Sequence, residues 1–370
     1  MSKAEHHPIF SIRFFILFHL LAAVIFLPLA CDTGDSRILP SYTGRPGEIL
    51  GVLSNELYEG QTGKVMKAMF KQDMKGIPQS EPLFEMNTVP PESFSSTFRT
   101  YLNILNLVVD DSREAGIYFQ KDQWAKQQMV ATVVGPNDQA IADIMRAQQE
   151  KLIYFFQLND RKRLLNGFVK DTELMALCKE KFDLNMFVPI DFRLAVDTAD
   201  FAWFRHETAE TSTDLVVIRT SYKDTADFSV DSILTTINTR ARRYIPGPTP
   251  GSYFNIATDI PVQETRFSQH QAFGAVELRG LWHVEGDFMG GPYVSFTQLD
   301  PSGKNLITVM GFVYAPKFKK REYVLKVDAL LYSARYDSAV EKEKPQMGVS
   351  EKPVQEPDKT STPRNQGDGI

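Results

Sequence analysis

The chain has 370 residues, with 41 Lys and Arg against 46 Asp and Glu, for a formal net charge of −5. That balance excludes the basic footprint of a nucleic-acid binder. An apolar share of 43% and a charged share of 24% are those of an ordinary globular protein, and the length suggests two domains.

In chain order, Lys3 and Arg13 give a weakly basic start, and the apolar run FFILFHLLAAVIFLPLA follows from Phe14 to Ala30. A spanning helix needs about 20 apolar residues. This run is shorter, and His19 and Pro28 interrupt it. A signal peptide has a basic opening, a short apolar stretch and small residues at the cut. Leu29-Ala30-Cys31 resembles the bacterial lipobox, although Pro28 stands where that motif usually has Leu. In the lipobox the cysteine is acylated, with palmitate-type chains, and the preceding segment is removed. Residues 1–30 are therefore expected to be a signal peptide and Cys31 the lipidated terminus. An uncleaved anchor is the alternative. Two or more acyl chains hold a protein stably at a bilayer, so a membrane is the first expected partner.

Residues 31–47 read as the lipidated cysteine and a Pro/Gly/Ser-rich linker. The expected N-terminal α+β domain covers 48–182. Its elements are a strand at EILGVLSN, a helix over Lys64–Lys71 and a strand over Leu83–Val89. The runs LNILNLVVD and QMVATVVG read as buried strands. Asn137 caps one long helix whose apolar face runs from Ile141 to Phe156. A helix over Thr172–Phe182 ends that domain near Asp183. The C-terminal α+β domain, 183–337, opens with the strands MFVPI, FRLAV, FAWFRHE and TDLVVIRTSY. A helix over Ser229–Tyr244 stops at Pro246-Gly247-Pro248. The strands AVELRGLWHVE, PYVSFTQLD and LITVMGFVYA follow, and a helix over Arg321–Tyr332 closes the unit. The fold class is α+β, with two sandwich-like domains whose mainly antiparallel sheets carry helices on one face. Residues 338–370 are poor in large apolar side chains and are expected to be a disordered tail.

Chemical motifs are sparse. YEGQTGKV departs from the phosphate-loop pattern at Tyr58 and Val65, HETAE lacks the second histidine of a zinc helix, and no G-x-S-x-G elbow occurs. Cys178 lies in TELMALCKEKF at helical spacing from Leu174 and reads as a buried apolar residue. The richest polar stretch is VELRGLWHVEGDFMGGP, Val276–Pro292. Alternation places Glu277, Arg279, His283 and Glu285 on one face of a strand. Tyr293, Ser295 and Thr297 of the next strand are expected to join them. Arg279 has the fork to hold a carboxylate, whereas His283 and Glu285 are too few ligands for a metal. Trp282 and Asp287 complete this candidate groove. A solvated sheet face with cross-strand ion pairs is the plainer reading of the same residues. No cofactor motif is present.

The motifs LPSYTGRPGE (Leu39–Glu48), EPLF (Glu81–Phe84), WAKQQ (Trp124–Gln128), YIPGPTPGSY (Tyr244–Tyr253), ELRGLW (Glu277–Trp282), DFMGGP (Asp287–Pro292) and GFVYAPK (Gly311–Lys317) resemble those of an uncharacterised lipoprotein family of Bacteroidetes-type envelopes, catalogued as domain of unknown function 4837. The resemblance extends from about Leu39 to Tyr336 and implies an envelope location and a shared fold, but no catalytic residues. The second half also resembles a PsbP-type fold, which implies partner binding. The expectation is a lipid-anchored envelope protein, outer-membrane and facing the periplasm or the cell surface. It acts as a binding or assembly module for an envelope protein or small ligand, without nucleic acid. The alternative is an envelope hydrolase using Glu277, His283 and Glu285.

Overall fold

The computed structural model describes residues 38–267 and 275–337. The expected signal peptide, Cys31, the start of the linker and the expected tail lie outside the described residues.

The first sheet has the strand order β2-β1-β3-β5-β4. β1 is Glu48–Val52, β2 Glu85–Val89, β3 Asn103–Val109, β4 Gly116–Lys121 and β5 Met129–Gly135. β1 pairs in parallel with β2 and β3, β3 pairs in parallel with β5, and only β4 runs antiparallel. Parallel strands are covered on both faces and read as near-continuous apolar runs. MVATVVG is buried at every position. β4, at the edge, was not anticipated, because GIYFQK buries only one apolar side chain fully, Phe119.

Five helices accompany this sheet: α1 (Asn55–Glu59), α2 (Gln61–Phe70), α3 (Ser96–Arg99), α4 (Asp138–Ala147) and α5 (Gln149–Gly167). Asn137 does cap α4, accepting from the Ala140 amide at 2.9 Å. The single long helix expected there is two helices, because Gln148 leaves helical geometry at φ −120° and ψ 26°. α5 then buries Phe155 and Phe156 against the first sheet and Asn159, Asp160, Arg161 and Arg163 elsewhere. Burial on several sides erases the one-sided stripe of a surface helix.

α6 (Thr172–Phe182) has the bounds expected from sequence. Asp171 caps it through the Glu173 and Leu174 amides, and Asp183 ends it in the left-handed region at φ 54°. MFVPI does not form a strand. Met186, Phe187 and Val188 are core residues in an irregular segment, where Pro189 has no N–H for a ladder.

The second sheet is antiparallel, ordered β10-β11-β12-β13-β8-β7-β6, with β9 also paired to β11. Its strands are β6 (Arg193–Asp197), β7 (Phe201–Glu207), β8 (Ser212–Ser221), β9 (Tyr253–Ile256), β10 (Gln263–Phe267), β11 (Ala275–Glu285), β12 (Gly290–Leu299) and β13 (Asn305–Tyr314). The α+β class holds, and antiparallel pairs predominate. The first sheet is covered on both faces, by α2, α4 and α5 over Ile49, Leu105 and Val133 and by Phe98 of the short α3 with Phe94 and Trp124 over Leu50, Ile104 and Val130. The second carries α8 (Arg321–Tyr332) on one face, over Leu215, Val294 and Val309. It carries α7 (Val230–Tyr244) on the other, over Val216, Leu278 and Phe312.

The start of α8 is held by the first half of the chain. Glu81 is buried and accepts from the Lys320 and Arg321 amides at 2.6 and 3.0 Å, where a helix needs acceptors. Arg321 Nη1 donates to the Gly47 carbonyl at 2.8 Å. Gly47 itself has φ +82°, and a Cβ there would stand 2.8 Å from the same guanidinium nitrogen. Glycine suits both the backbone geometry and this close approach.

Candidate functional site

β11 divides the candidate residues by parity. Val276, Leu278, Trp282 and Val284 join the core beneath α7. Glu277 and Arg279 point towards α8. In the register with β12, Glu277 lies opposite Phe296, Leu278 opposite Ser295 and Gly280 opposite Tyr293. Tyr293, Ser295 and Thr297 therefore share the face of Leu278, not that of Glu277. The expected joint polar face is corrected by one position, and a one-residue slip reverses every side chain.

On their own face, Glu277 and Arg279 belong to a buried ionic network. Arg279 donates to Glu277 Oε1 through Nε and to Asp328 Oδ1 through Nη2. Arg161, from α5, donates to Asp328 Oδ2 at 2.8 Å. Its guanidinium carbon lies 3.4 Å from the centre of the Tyr332 ring, and the Tyr332 hydroxyl donates to Glu277 Oε2 at 3.2 Å. Burial alone would raise the Asp328 pKa, but Arg161 and Arg279 outweigh it and hold the carboxyl below its ordinary value. Asp328 and Glu277 likewise raise Arg279 against the pull of burial. The Arg279 fork is thus filled by the protein's own carboxylates. This network forms one wall of a cleft of about 600 Å3 that also includes Tyr154, Gln157 and Thr265.

The other candidate residues lie elsewhere. His283 and Glu285 contact each other at 3.2 Å with side chains 39% and 54% exposed. Asp287 belongs to the hairpin turn, accepting from the Phe288 amide at 2.7 Å and the Thr249 hydroxyl at 2.7 Å, and these bonds hold its carboxyl below the usual range. Glu277 is buried in the network while His283 and Glu285 stand in solvent, so the three do not converge as a hydrolase would need. Among the described residues, no group of three His, Cys, Asp or Glu side chains is placed to hold a metal ion.

Trp282 leads to a second site. It stacks on Phe254 at 5.3 Å and meets Phe312 edge-on at 5.0 Å, and its indole N–H donates to the Val313 carbonyl at 3.1 Å. These rings, with Trp203, line a pocket of about 410 Å3 between the sheet and the segment Ile245–Pro248 that follows α7. Asp214 of β8 is buried in its wall, 1% exposed. The Trp203 indole N–H donates to its Oδ1 at 2.9 Å, and Arg205 Nε lies 3.5 Å from the same oxygen. Oδ2 has no donor in hydrogen-bonding geometry. Burial pushes the Asp214 carboxyl up to about 6, against the opposing pull of Arg205, Ser212 and Trp203. Sequence reading did not single out Asp214. The available signal was a lone carboxylate in the apolar run TDLVVI, and strand register sets it opposite Arg205 and Phe312.

Cys178 is fully buried in the core beneath α8, and burial pushes its thiol up to about 12 despite nearby Lys181. In the native protein at mildly alkaline pH, Cys178 is expected to resist Ellman's reagent. It should react at the ordinary rate once urea unfolds the chain.

The architecture defines an α+β protein in which two sheets are joined through shared helices and an aromatic pocket opens on the second. Residues 171–333 match the family described as domain of unknown function DUF4837. Residues 42–169 match a second family, domain of unknown function DUF8532, so the motifs at Glu81–Phe84 and Trp124–Gln128 fall in that segment. No curated protein matches the chain. A solved structure of LpqN from Mycobacterium tuberculosis, described as involved in cell envelope biogenesis, is 15% identical over 41% of this chain and 82% of its own, at a TM-score of 0.26. The human StarD13 (DLC2) lipid transfer and protein localization domain is 12% identical over 45% of this chain and 98% of its own, at a TM-score of 0.19. At these TM-scores neither likeness carries an argument. Among the described residues, no helix is long and apolar enough to cross a membrane.

Proposed function

We propose that this protein is a binding module of the cell envelope, tethered to a membrane through a lipidated Cys31. Its ligand would be a small molecule that enters the pocket between Trp203, Phe254, Trp282 and Phe312. One observation carries the reading. Asp214, in the wall of an aromatic cavity, has a buried carboxylate oxygen without a hydrogen-bond donor. Leaving a buried polar atom unpaired costs about 1–3 kcal/mol, and a ligand donor would recover that. Pockets with apolar walls and a few placed polar groups are the usual form of small-molecule sites. The lipobox-like Leu29-Ala30-Cys31 supports the tether.

Purification from native membranes, followed by mass spectrometry, tests both parts. The expected chain begins at Cys31 and carries the mass of attached acyl groups, and Cys31→Ser no longer takes up a clickable fatty acid. A small molecule is expected to co-purify with the wild type and to be depleted from Asp214→Asn. An intact initiator methionine would remove the tether. A wild type that carries no more small molecule than the variant would remove the binding role.

A further inference from the structure

We infer that the pocket takes a small organic cation, an ammonium group seated on the aromatic rings with its charge towards Asp214. This rests on the binding role proposed above and narrows it to one ligand class.

Charge points the same way as shape. The pocket lining includes the carboxylates of Asp214, Glu207 and Glu210, and Arg205 is its one guanidinium. Arg205 is already engaged, since its Nη2 donates to Glu207 Oε1 at 2.6 Å. Its Nε makes no hydrogen bond within geometric limits. Asp214 Oδ2 is thus left free on the buried side. Aromatic faces attract cations through the ring quadrupole, most strongly when water is excluded. The protein already uses this attraction here, with the Arg205 guanidinium 5.4 Å from the Trp203 ring centre. A neutral apolar ligand would leave Asp214 Oδ2 desolvated and unpaired. An anion would meet the Asp214 carboxylate, whereas Glu207 and Glu210 are paired with Arg205 and, at 2.9 Å, with Lys317.

Affinity should depend on pH in a stated direction. The groups facing Asp214 are Trp203, Arg205 and Glu207 on β7, Ser212 on its own strand and Phe312 on β13. The Ile245–Pro248 segment adds no titratable side chain. As pH falls through about 6, Asp214 takes up a proton, and cation affinity is expected to fall with it.

The test uses the mature chain with two probes of nearly equal shape, choline and its uncharged isostere 3,3-dimethylbutan-1-ol. Tryptophan fluorescence and saturation-transfer NMR report binding. Choline is expected to bind roughly tenfold or more tightly at neutral pH. Asp214→Asn should bring choline down to the level of the alcohol while leaving the alcohol unchanged. If near-UV circular dichroism shows that this variant does not fold, the wild-type pH titration and Glu210→Gln at the exposed mouth carry the same comparison. Equal binding of both probes would overturn the cation assignment and leave the broader binding role standing. Binding of neither at tens of millimolar would also overturn it, while mass spectrometry of native material judges the broader role separately.

Discussion

Asp328→Ala is expected to destabilise the protein by about 3–5 kcal/mol, the usual result of removing one partner from a buried ion pair. Its carboxylate serves two guanidiniums, Arg161 and Arg279, and both lie almost wholly out of water. Deleting it leaves two buried positive charges with only Glu277 between them. Loss on this scale is a large part of a typical folding free energy, so low yield is expected alongside a lowered urea midpoint. Asp328→Asn keeps the shape and loses the charge, and should recover little. The pH dependence follows from the direction of the shift. The folded-state pKa of Asp328 lies below its unfolded value, so its contribution is present above an unfolded pKa of about 4 and is lost as pH falls through the folded value. Urea midpoints measured down to strongly acidic pH should show wild type and Asp328→Asn converging. A constant gap would show that charge pairing is not the source of the stability.

Arg163→Ala is expected to cost a similar amount, about 3–5 kcal/mol. Its Nη1 donates to Asp160 Oδ1 at 2.6 Å and Asn103 Oδ1 at 2.9 Å. Its Nη2 donates to the Leu102 and Gln127 carbonyls at 2.9 and 2.6 Å. Gln127 sits in the left-handed region at φ 60°, so this bond also fixes a strained turn. Asp160, left behind, would keep donors only from Asn103 Nδ2 and the Gly47 amide. Arg163→Lys should rescue only part, because an ammonium cannot reproduce a planar fork with acceptors on several sides. Equal stability of the lysine variant and wild type, by chemical denaturation, would refute the fork as the cause.

Elements with a strong local signature were legible in the sequence. α6 and α8 have the expected bounds, since capping and apolar spacing are local properties. β3 and β5 stood out as apolar runs. β4, β9 and β10 did not, because short strands with few buried apolar side chains resemble loops until their neighbours are known. The register of β12 was illegible for the opposite reason. From Pro292 to Gln298 it is buried at every position, so alternation does not tell the two faces apart. The site failed in the same way. Trp282 was visible as a large aromatic beside polar residues, whereas Asp214, Trp203 and Phe312 come from three other strands and meet only through register. Arg161 and Asp160 carry no local sign of burial, because their partners Asp328, Asn103 and Gly47 lie in distant parts of the chain.

The start of α8 has a wider consequence. Its first amides rest on Glu81, a residue of the segment that matches the other family. A boundary between two sequence families is therefore not a joint in the molecule. A fragment covering only 171–333 would begin its last helix without an acceptor and would expose Arg279 and Asp328 where Arg161 had covered them. Gene shuffling that moved either segment alone would pass on a half with an open, charged wound. Lineages that keep this second half are expected to keep a compatible first half upstream of it.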